Sequence, residues 1–286
     1  MPVGTIAILS PGEMGGAVGG ALSRSGFQVI TSLEGRSERS RQSAQRHGIR
    51  DVGGYDALVR AADLVLSILV PAEAVAVATR TAEAMRSAKR GIYYADCNAV
   101  APATVQAMAK IVESAGGNFI DGGIIGGPPR AGYAPRFYAS GKSAHVLAEL
   151  SGKGIEVVTV GDEIGKASAV KMCYGALTKG TIALQVSLLI AAARLGVYDD
   201  LAAEFRHSQA DAMKRIEGQI GRLPTVAHRW IGEMEEIASM FEAVRLPGNF
   251  HYGSAELFRM VAGSPLAQPG VARPSLNEAV GTLAKS

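Results

Sequence analysis

Short apolar runs alternate with helical segments through the first half of the chain, and this alternation restricts the folds that the chain can adopt. Thr5-Ile6-Ala7-Ile8-Leu9 is typical of a buried strand. Further strand-like runs lie at 27–31, 64–69, 92–96, 118–121 and 155–160, with helical patterns at 17–24, 38–47, 72–85 and 102–114. Apolar strands separated by helices indicate a parallel sheet that is covered on both faces. We therefore predict an α/β domain with a Rossmann-like, doubly wound parallel sheet.

The pattern changes near Gly161. Helix-forming residues fill 167–195, and further helical patterns lie at 199–220 and 225–244, the last with an apolar stripe at helical spacing. The sequence therefore predicts two domains, an α/β domain over 1–162 and an all-helical domain over 163–286. The segment around Pro265 and Pro274 is expected to be irregular.

Composition excludes several classes of protein. A net charge of +3 over 286 residues is too small to indicate a nucleic-acid or anionic-membrane partner. Two cysteines exclude a disulfide scaffold, and the five histidines lack metal-ligand spacing. No secretory signal is evident, and the longest apolar run, 182–193, is too short to span a bilayer. We expect a cytoplasmic protein that binds no metal, nucleic acid or membrane.

A glycine-rich segment follows the first predicted strand. In a dinucleotide site one glycine makes a tight turn, a second lets the backbone approach the pyrophosphate, and a third allows close helix packing. Gly12 and Gly15 match the second and third positions, whereas Ser10 stands where the first glycine belongs. We predict that Ser10, Gly12, Glu13, Met14 and Gly15 bind a cofactor at a helix N-terminus. A tight turn without a ligand is the alternative.

The residues after the second predicted strand bear on the choice of cofactor. Glu34 could accept hydrogen bonds from a ribose hydroxyl, which would favour NAD. Arg36 and Ser37 could instead bind a 2′-phosphate, which would favour NADP. A solvated basic loop is the third possibility. We predict NADP as the preferred cofactor, with NAD possible.

Five segments in chain order resemble the superfamily of 6-phosphogluconate and β-hydroxyacid dehydrogenases, which includes 3-hydroxyisobutyrate dehydrogenases and imine reductases. The segments are 12–15, 35–37, 69–71, 121–127 and 165–171. The resemblance covers residues 4–200, and the remainder resembles a branch whose C-terminal domain has no known function. It implies that Leu69 and Val70 lie beside the nicotinamide, that the loop ending in Gly126 and Gly127 binds substrate, and that Lys171 is catalytic.

Three positions depart from the family pattern. Ile125 replaces the substrate-binding serine, Gly175 replaces an asparagine, and Thr178 replaces the acid of the decarboxylating sugar-phosphate enzymes. The cofactor half is therefore better supported than any particular substrate, and phosphogluconate dehydrogenase itself is not indicated.

Helical spacing places Tyr174 and Thr178 on the same face as Lys171. We predict that Lys171 exchanges a proton with the substrate oxygen during hydride transfer, and that Tyr174 or Thr178 orients this oxygen. A lysine that extends to the surface and a tyrosine packed in a core are the alternatives. Lys179 is a further candidate substrate contact, with a solvent-facing lysine as its alternative.

Other candidates lie in loops and in the helical domain. Asn98 follows a strand, where it could bind the nicotinamide ribose or substrate, or stabilise its loop. Backbone N–H groups at Gly126 and Gly127 could bind an anionic group, with Arg130 or Arg136 as carboxylate partners. Candidate substrate contacts in the helical domain, with a solvated acidic face as the alternative for the glutamates, are Glu233, Glu235, Glu236 and His251.

These features predict an NAD(P)-dependent oxidoreductase that acts on a small hydroxy acid or a similar alcohol. The apolar interdomain helix predicts a homodimer. Two other functions stay open at this point, reduction of an imine and a dinucleotide-binding sensor without turnover.

Overall fold

The computed structural model describes residues 3–285, and the chain divides into one compact unit up to Met172 and another from Cys173 onward. The first unit contains one eight-stranded sheet, with β1 (Thr5–Leu9), β2 (Gln28–Thr31), β3 (Arg50–Asp51), β4 (Leu64–Ser67), β5 (Tyr93–Asp96), β6 (Asn118–Ile125), β7 (Arg136–Ser140) and β8 (Glu156–Thr159). Its helices are α1 (Glu13–Arg24), α2 (Glu38–Arg46), α3 (Tyr55–Ala61), α4 (Ala74–Ala88), α5 (Pro102–Glu113) and α6 (Ala144–Ala148). Helix α7 (Lys166–Arg194) begins in this unit and continues into the second.

The strand order is β3-β2-β1-β4-β5-β6-β7-β8. Every neighbouring pair is parallel except β6 and β7, which are antiparallel. After β1 the chain adds β2 and β3 on one side and then crosses to β4 on the other, so the order reverses between β1 and β4. This confirms the predicted doubly wound sheet, with one antiparallel pair that the sequence did not indicate. Ligands of such sheets bind at the carboxyl ends of the strands beside this reversal.

Both faces of the sheet are covered. Along β1, Ile6 and Ile8 pack into one hydrophobic core, whereas Ala7 and Leu9 pack into the other. Because successive strand residues point to opposite faces, a strand buried on both sides must be apolar at every position. This is the physical reason that the continuous apolar runs predicted the architecture.

The second unit is helical. From Cys173 to residue 285 it contains the rest of α7, then α8 (Tyr198–Ser208), α9 (Ala210–Gln219), α10 (Leu223–Ala243), α11 (Asn249–Ala262) and α12 (Leu276–Ala284). The helix expected over 199–220 is interrupted at Gln209, whose backbone is not helical (φ −134°, ψ 42°). The segment predicted to be irregular ends before α12, which begins with a capping box between Ser275 and Glu278. The predicted boundary between residues 162 and 163 stays a prediction.

Helix α7 is long and apolar. Its mean hydropathy reaches 1.5 over a window of which 33% is buried, so by length and composition this helix could cross a bilayer. The apolar run predicted from the sequence is therefore part of a longer helix. Core helices of soluble proteins have the same length and composition, so one such helix is weak evidence for a membrane.

Candidate cofactor and catalytic site

The glycine-rich segment forms the turn between β1 and α1. Gly12 is the N-cap of α1, and Glu13 lies in its first turn. A Cβ atom at Gly15 would lie 2.1 Å from the carbonyl oxygen of Ser10, so this position requires glycine. A Cβ atom at Gly12 would meet no atom within 4 Å, so the space over the helix N-terminus is open. The turn thus combines tight packing below with an open cradle above, as a pyrophosphate site needs.

Ser10 and Met14 complete the predicted loop. The N–H of Ser10 donates to the carbonyl of Ile68 (3.1 Å), and the carbonyl of Ser10 accepts from the N–H of Gly12 (2.8 Å). Ser10 therefore shapes the turn through its backbone. Met14 packs against the hydrophobic core.

Buried donors without partners lie in the segment after β2. The Nη2 atom of Arg36 and the Oγ atom of Ser32 are buried, and neither has a hydrogen-bond partner within residues 3–285. A buried donor without an acceptor is unfavourable, so these atoms fit a ligand that supplies acceptor oxygens. The carboxylate of Glu34 lies instead near Gly54, where a Cβ atom would be 3.2 Å from its Oε2 atom.

Ser37 ends this segment and caps α2. Its Oγ atom accepts from the N–H of Ser40 at 3.4 Å. The guanidinium of Arg41 donates to the carbonyl of Leu33 (3.0 Å) and fastens the segment to the helix. Arg36 is therefore held between two anchored points.

Four paired residues form a row across the sheet, three of them at strand ends and the fourth, Asp121, within β6. Leu9 of β1 pairs with Ser67 of β4, Ser67 with Asp96 of β5, and Asp96 with Asp121 of β6. This row marks the carboxyl edge of the parallel strands beside the β1–β4 reversal. The predicted residues Leu69, Val70 and Asn98 all follow this row.

Asn98 fastens the ends of β4 and β5 together. Its Oδ1 atom accepts from the N–H of Leu69 (2.6 Å), and its Nδ2 atom donates to Ser67 Oγ (3.0 Å) and to Asp96 Oδ1 (2.6 Å). These contacts match the interpretation in which Asn98 stabilises its loop. Its predicted contact with cofactor or substrate stays a prediction. Val70, beyond Leu69, is 45% exposed.

Asp96 is a completely buried carboxyl group with a perturbed pKa. Burial, opposed by hydrogen bonds from Asn98 and assisted by the charge of Asp121, raises its pKa to about 7. Burial also raises the pKa of the neighbouring Cys97 thiol well above its usual value. Cys97 therefore packs as a small, neutral side chain in the hydrophobic core.

Asp121 caps helix α7. Its Oδ2 atom accepts from the N–H groups of Gly165 (2.9 Å), Ala167 (3.0 Å) and Ser168 (3.2 Å) and from Ser140 Oγ (2.7 Å), while its Oδ1 atom accepts from Ser168 Oγ (2.6 Å). The resemblance predicts Asp121 only as the first residue of the substrate loop. The available signal is an acidic residue directly after the apolar pair Phe119 and Ile120, where a buried charge must be fully hydrogen-bonded.

Lys171 lies where α7 packs closely against Gly123 of β6. A Cβ atom at Gly123 would be 2.8 Å from the Cβ of Lys171, so the missing side chain permits this approach. Lys171 is half-buried. Since Gly123 lies two residues beyond Asp121 on β6, Lys171 stands just past the row of paired residues.

Two predicted catalytic residues follow on α7 in the second unit. Tyr174 is 48% exposed, and the Thr178 hydroxyl donates to the carbonyl of Tyr174 (3.0 Å). This local bond occupies the Thr178 proton. The predicted roles of both residues stay predictions.

Lys179 forms a buried ion pair. Its Nζ atom lies 2.8 Å from Glu233 Oε1 and 5.5 Å from the centre of the Trp230 ring. Glu233 is therefore not part of a solvated acidic face, because its carboxylate is paired with Lys179. A Cβ atom at Gly175 would be 3.1 Å from the same Oε1 atom, so Gly175 makes room for the Glu233 carboxylate. The predicted substrate contact of Lys179 stays a prediction.

The remaining helical candidates are separated by environment. Glu235 pairs with Arg259 on the surface. His251 is buried between the rings of Phe241 and Phe250, and burial lowers its pKa. Glu236 is half-buried.

The predicted substrate loop is closed by a tyrosine. The N–H of Gly127 donates to the Tyr133 hydroxyl (3.1 Å), and the Arg130 guanidinium lies 4.5 Å from the centre of the same ring. One of the two predicted anion-binding amides is thus already used, and that of Gly126 is the remaining candidate. Arg136 pairs with a surface glutamate of β8. No group of three or more metal-binding side chains occurs among the described residues.

Two family models match the chain. Residues 5–151 match the NAD binding domain of 6-phosphogluconate dehydrogenase, and residues 192–261 match a domain of unknown function. An uncharacterized 28.5 kDa protein from Methanothermus fervidus is 31% identical over 174 residues, which cover 61% of this chain and 65% of that relative.

Solved structures share the fold. A conserved protein of unknown function, described as structurally similar to 3-hydroxyacid dehydrogenases, has 28% identity and a TM-score of 0.67 over 90% of this chain and 96% of its own. Mycobacterium tuberculosis 3-hydroxyisobutyrate dehydrogenase has 17% identity and a TM-score of 0.69 over 99% of both chains. Streptomyces aurantiacus imine reductase has 17% identity and a TM-score of 0.55 over 99% of this chain and 100% of its own.

The resemblance of the five short segments to this family is confirmed, since the family model that matches residues 5–151 covers just over half of the chain and begins at β1. The chain belongs to the family that carries the NAD-binding domain of 6-phosphogluconate dehydrogenase.

Proposed function

We propose that this protein is an oxidoreductase that prefers NADPH and interconverts a small hydroxy acid, or a similar alcohol, with its carbonyl compound. The observation that carries this proposal is the position of Lys171 beside Gly123, at the edge of the sheet that also carries the turn at Gly12 and Gly15. Three strand spacings, or about 14 Å, separate these features along the sheet.

The residues of the first unit fit a dinucleotide phosphate. The open cradle at Gly12 and the N-terminus of α1 would hold the pyrophosphate. Arg36 would bind the 2′-phosphate, because its buried Nη2 atom lacks an acceptor within the described residues and the segment around it is anchored at both ends. Leu69 and Val70 would contact the nicotinamide end. NADPH, when bound, supplies hydride transfer chemistry.

Lys171 would provide the proton that hydride transfer requires. Its ammonium group would donate a proton to the substrate oxygen on reduction and recover it on oxidation. Tyr174 and Thr178 would orient the oxygen. The Thr178 oxygen can accept from a substrate hydroxyl while it donates to the Tyr174 carbonyl, but it can donate to a substrate carbonyl only by giving up that bond.

Reduction of an imine is the second candidate. Glycine at position 175 removes the asparagine amide of the family pattern, and the Glu233 carboxylate packs there instead. Because the Lys179 ammonium neutralises this carboxylate, the case for an imine rests on the loss of the asparagine alone. The imine reductase of the same fold supports this alternative.

The test is NADPH oxidation, followed by its absorbance, with a panel of aldehyde acids, ketones and cyclic imines. The reverse direction would use 3-hydroxyisobutyrate and L-serine with NADP⁺. Lys171→Ala is expected to abolish turnover and retain NADPH binding. Lys166→Ala is the matched control, since Lys166 lies on the same helix but pairs with Glu163 on the surface (3.4 Å).

The panel separates the candidates. Turnover of carbonyl substrates alone supports the dehydrogenase, and turnover of imines alone supports the second candidate. NADPH binding without turnover of any substrate would identify a sensor and contradict both. Full activity of Lys171→Ala would remove Lys171 from the mechanism.

We further propose that the protein is a cytoplasmic homodimer. Tyr174, Leu177 and Leu184 on α7 are 48%, 70% and 53% exposed, and their spacing places them along one helix face. Large apolar side chains grouped in this way indicate a surface covered by another protein or by lipid. A second copy of the chain is the proposed cover.

Light scattering on the detergent-free protein tests the dimer. Leu177→Arg combined with Leu184→Arg is expected to halve the mass, while Val158→Arg on the edge strand β8 is the control. A monomeric wild type, or a mass unchanged by the double substitution, would contradict the proposal. Extraction only with detergent would point to a membrane instead.

A further inference from the structure

The start of α7 is fastened to the sheet by one carboxylate. Asp121 is completely buried on β6 and accepts five hydrogen bonds, three from backbone N–H groups at the beginning of the helix and two from hydroxyl groups. Hydrogen bonds to a charged acceptor are about twice as strong as neutral ones. A negative charge at a helix N-terminus also interacts favourably with the helix dipole. Asp121 therefore fixes the first turn of α7 more firmly than an ordinary exposed cap.

Neighbouring strand β7 reinforces the same attachment. Ser140 of β7 pairs with Asp121 in the sheet, and its hydroxyl donates to the Asp121 carboxylate (2.7 Å). The Oγ atom of Ser140 also accepts from the N–H of Ala167 (3.1 Å). The helix start is thus joined to two strands, which opposes rotation of α7 about its own axis.

The close approach at Gly123 sets the position of Lys171 along β6. Asp121 and Gly123 lie on the same face of the strand because side chains alternate, and they are about 6.8 Å apart along it. Ala167, which donates to Asp121, and Lys171, whose Cβ lies against Gly123, are about 6 Å apart along the helix. The two spacings match, so the cap at Asp121 and the close approach at Gly123 act together as a two-point register. A displacement of α7 would break one contact or the other.

We propose that Asp121 is a positioning residue for Lys171, which holds the lysine at the carboxyl edge of the sheet through the N-terminus of α7. The inference rests on the proposed function of Lys171 and adds the element that places it. Gly123 serves the same purpose by leaving room for the lysine.

Three substitutions test this arrangement in the full chain. Asp121→Asn keeps the shape of the cap but removes its charge. Ser140→Ala removes one donor and one acceptor and keeps the charge. Gly123→Ala keeps the Asp121 and Ser140 side chains and introduces a Cβ atom 2.8 Å from that of Lys171 and 3.0 Å from the carbonyl oxygen of Ala167. Glu278→Gln is the matched control, because it weakens a carboxylate cap on α12, in the other unit.

Two readouts do not depend on the identity of the substrate. Hydrogen exchange of residues 165–171 is expected to be faster in Asp121→Asn and Ser140→Ala than in the wild type, and unchanged in Glu278→Gln. The Kd for NADPH is expected to stay within about twofold in all variants, because the turn at Gly12 and the loop at Arg36 are unaltered. Exchange over 165–171 that is unchanged in Asp121→Asn would overturn the proposal.

A third readout tests positioning rather than stability. With the substrate found by NADPH oxidation, kcat is expected to fall by about 10-fold in Asp121→Asn and by up to about 100-fold in Gly123→Ala. The solvent deuterium isotope effect on kcat should rise in both, because a misplaced lysine makes proton transfer more rate-limiting. A merely structural role would lower the melting temperature and leave the isotope effect unchanged, as expected for Glu278→Gln.

The failure of this inference can be told from that of the proposed function. If Lys171→Ala is inactive and Asp121→Asn keeps wild-type kcat and isotope effect, Asp121 does not position the lysine. If Lys171→Ala is fully active, the proposed role of the lysine is wrong, and the exchange data alone decide whether Asp121 orders α7.

Discussion

Removal of the Arg36 side chain should separate the two nicotinamide cofactors. Arg36 is half-buried, and its Nη2 atom is buried without a partner among residues 3–285. A 2′-phosphate would give this atom an acceptor, whereas the ribose hydroxyl of NADH offers no negative charge. Arg36→Ala is therefore expected to weaken NADPH binding selectively.

The size of the effect follows from the type of contact. A hydrogen bond to a charged group contributes about 1.5–3 kcal/mol, which corresponds to a change of about 10- to 150-fold in Kd. Coulomb attraction at about 4 Å and an effective dielectric constant of about 20 gives ~4 kcal/mol as an upper limit. Solvent around the half-buried guanidinium screens part of this attraction, so we expect about 10- to 50-fold for NADPH and less than about twofold for NADH.

Calorimetric titration of both cofactors measures the two Kd values directly. Arg36→Lys keeps the charge but not the planar fork, so it should recover only part of the loss. Arg24→Ala is the control, since Arg24 is an exposed arginine in the last turn of α1, at the end of that helix opposite to Gly12. Equal losses for NADPH and NADH, or an unchanged Kd for NADPH, would refute the assignment of Arg36 to the phosphate.

Three further predictions follow from local geometry. Gly15→Ala should lower the melting temperature and abolish NADPH binding, because its Cβ would lie 2.1 Å from a backbone oxygen. Gly12→Ala should keep the melting temperature and weaken only NADPH binding. Calorimetry of each variant checks both expectations. Folding raises the pKa of Asp96 from 3.8 to about 7, so between these pH values the folded state binds a proton that the unfolded state releases. The free energy of unfolding should therefore decrease as pH rises from about 4 to 7, by up to about 1.4 kcal/mol per pH unit. Urea unfolding should show a flatter pH dependence in Asp96→Asn. Lys179→Met should lower the free energy of unfolding by about 3–5 kcal/mol, since it leaves the buried Glu233 carboxylate without its partner, and adding Glu233→Gln should recover part of this loss in the same assay.

Much of the fold could be predicted because most elements of the first unit obey a local rule. The apolar run 5–9 matches β1 without change, and the glycine-rich turn after it is the observed connection to α1. Strand β3 is only two residues long, and β7 contains Arg136, so neither has an apolar pattern that could indicate a strand. The break at Gln209 was missed because the residues on both sides favour a helix.

The candidate site was predicted less completely than the fold. Spacing placed Lys171, Tyr174 and Thr178 on one face of a helix, which needs only helical periodicity. It could not indicate that the Thr178 hydroxyl is used by its own helix or that Lys179 pairs with Glu233, 54 residues away. Such partners depend on contacts between elements that are distant in sequence.

Periodicity in the sequence and the small size of glycine are enough to predict the alternation of strands and helices, the doubly wound sheet and the glycine-rich turn. The tertiary structure alone decided that Asp121 caps α7, that Asn98 joins two strand ends, and that Arg36 keeps a buried donor without an acceptor among the described residues. The physical reason is that a polar side chain can satisfy its hydrogen bonds in several ways, and only the assembled packing around it selects one of them.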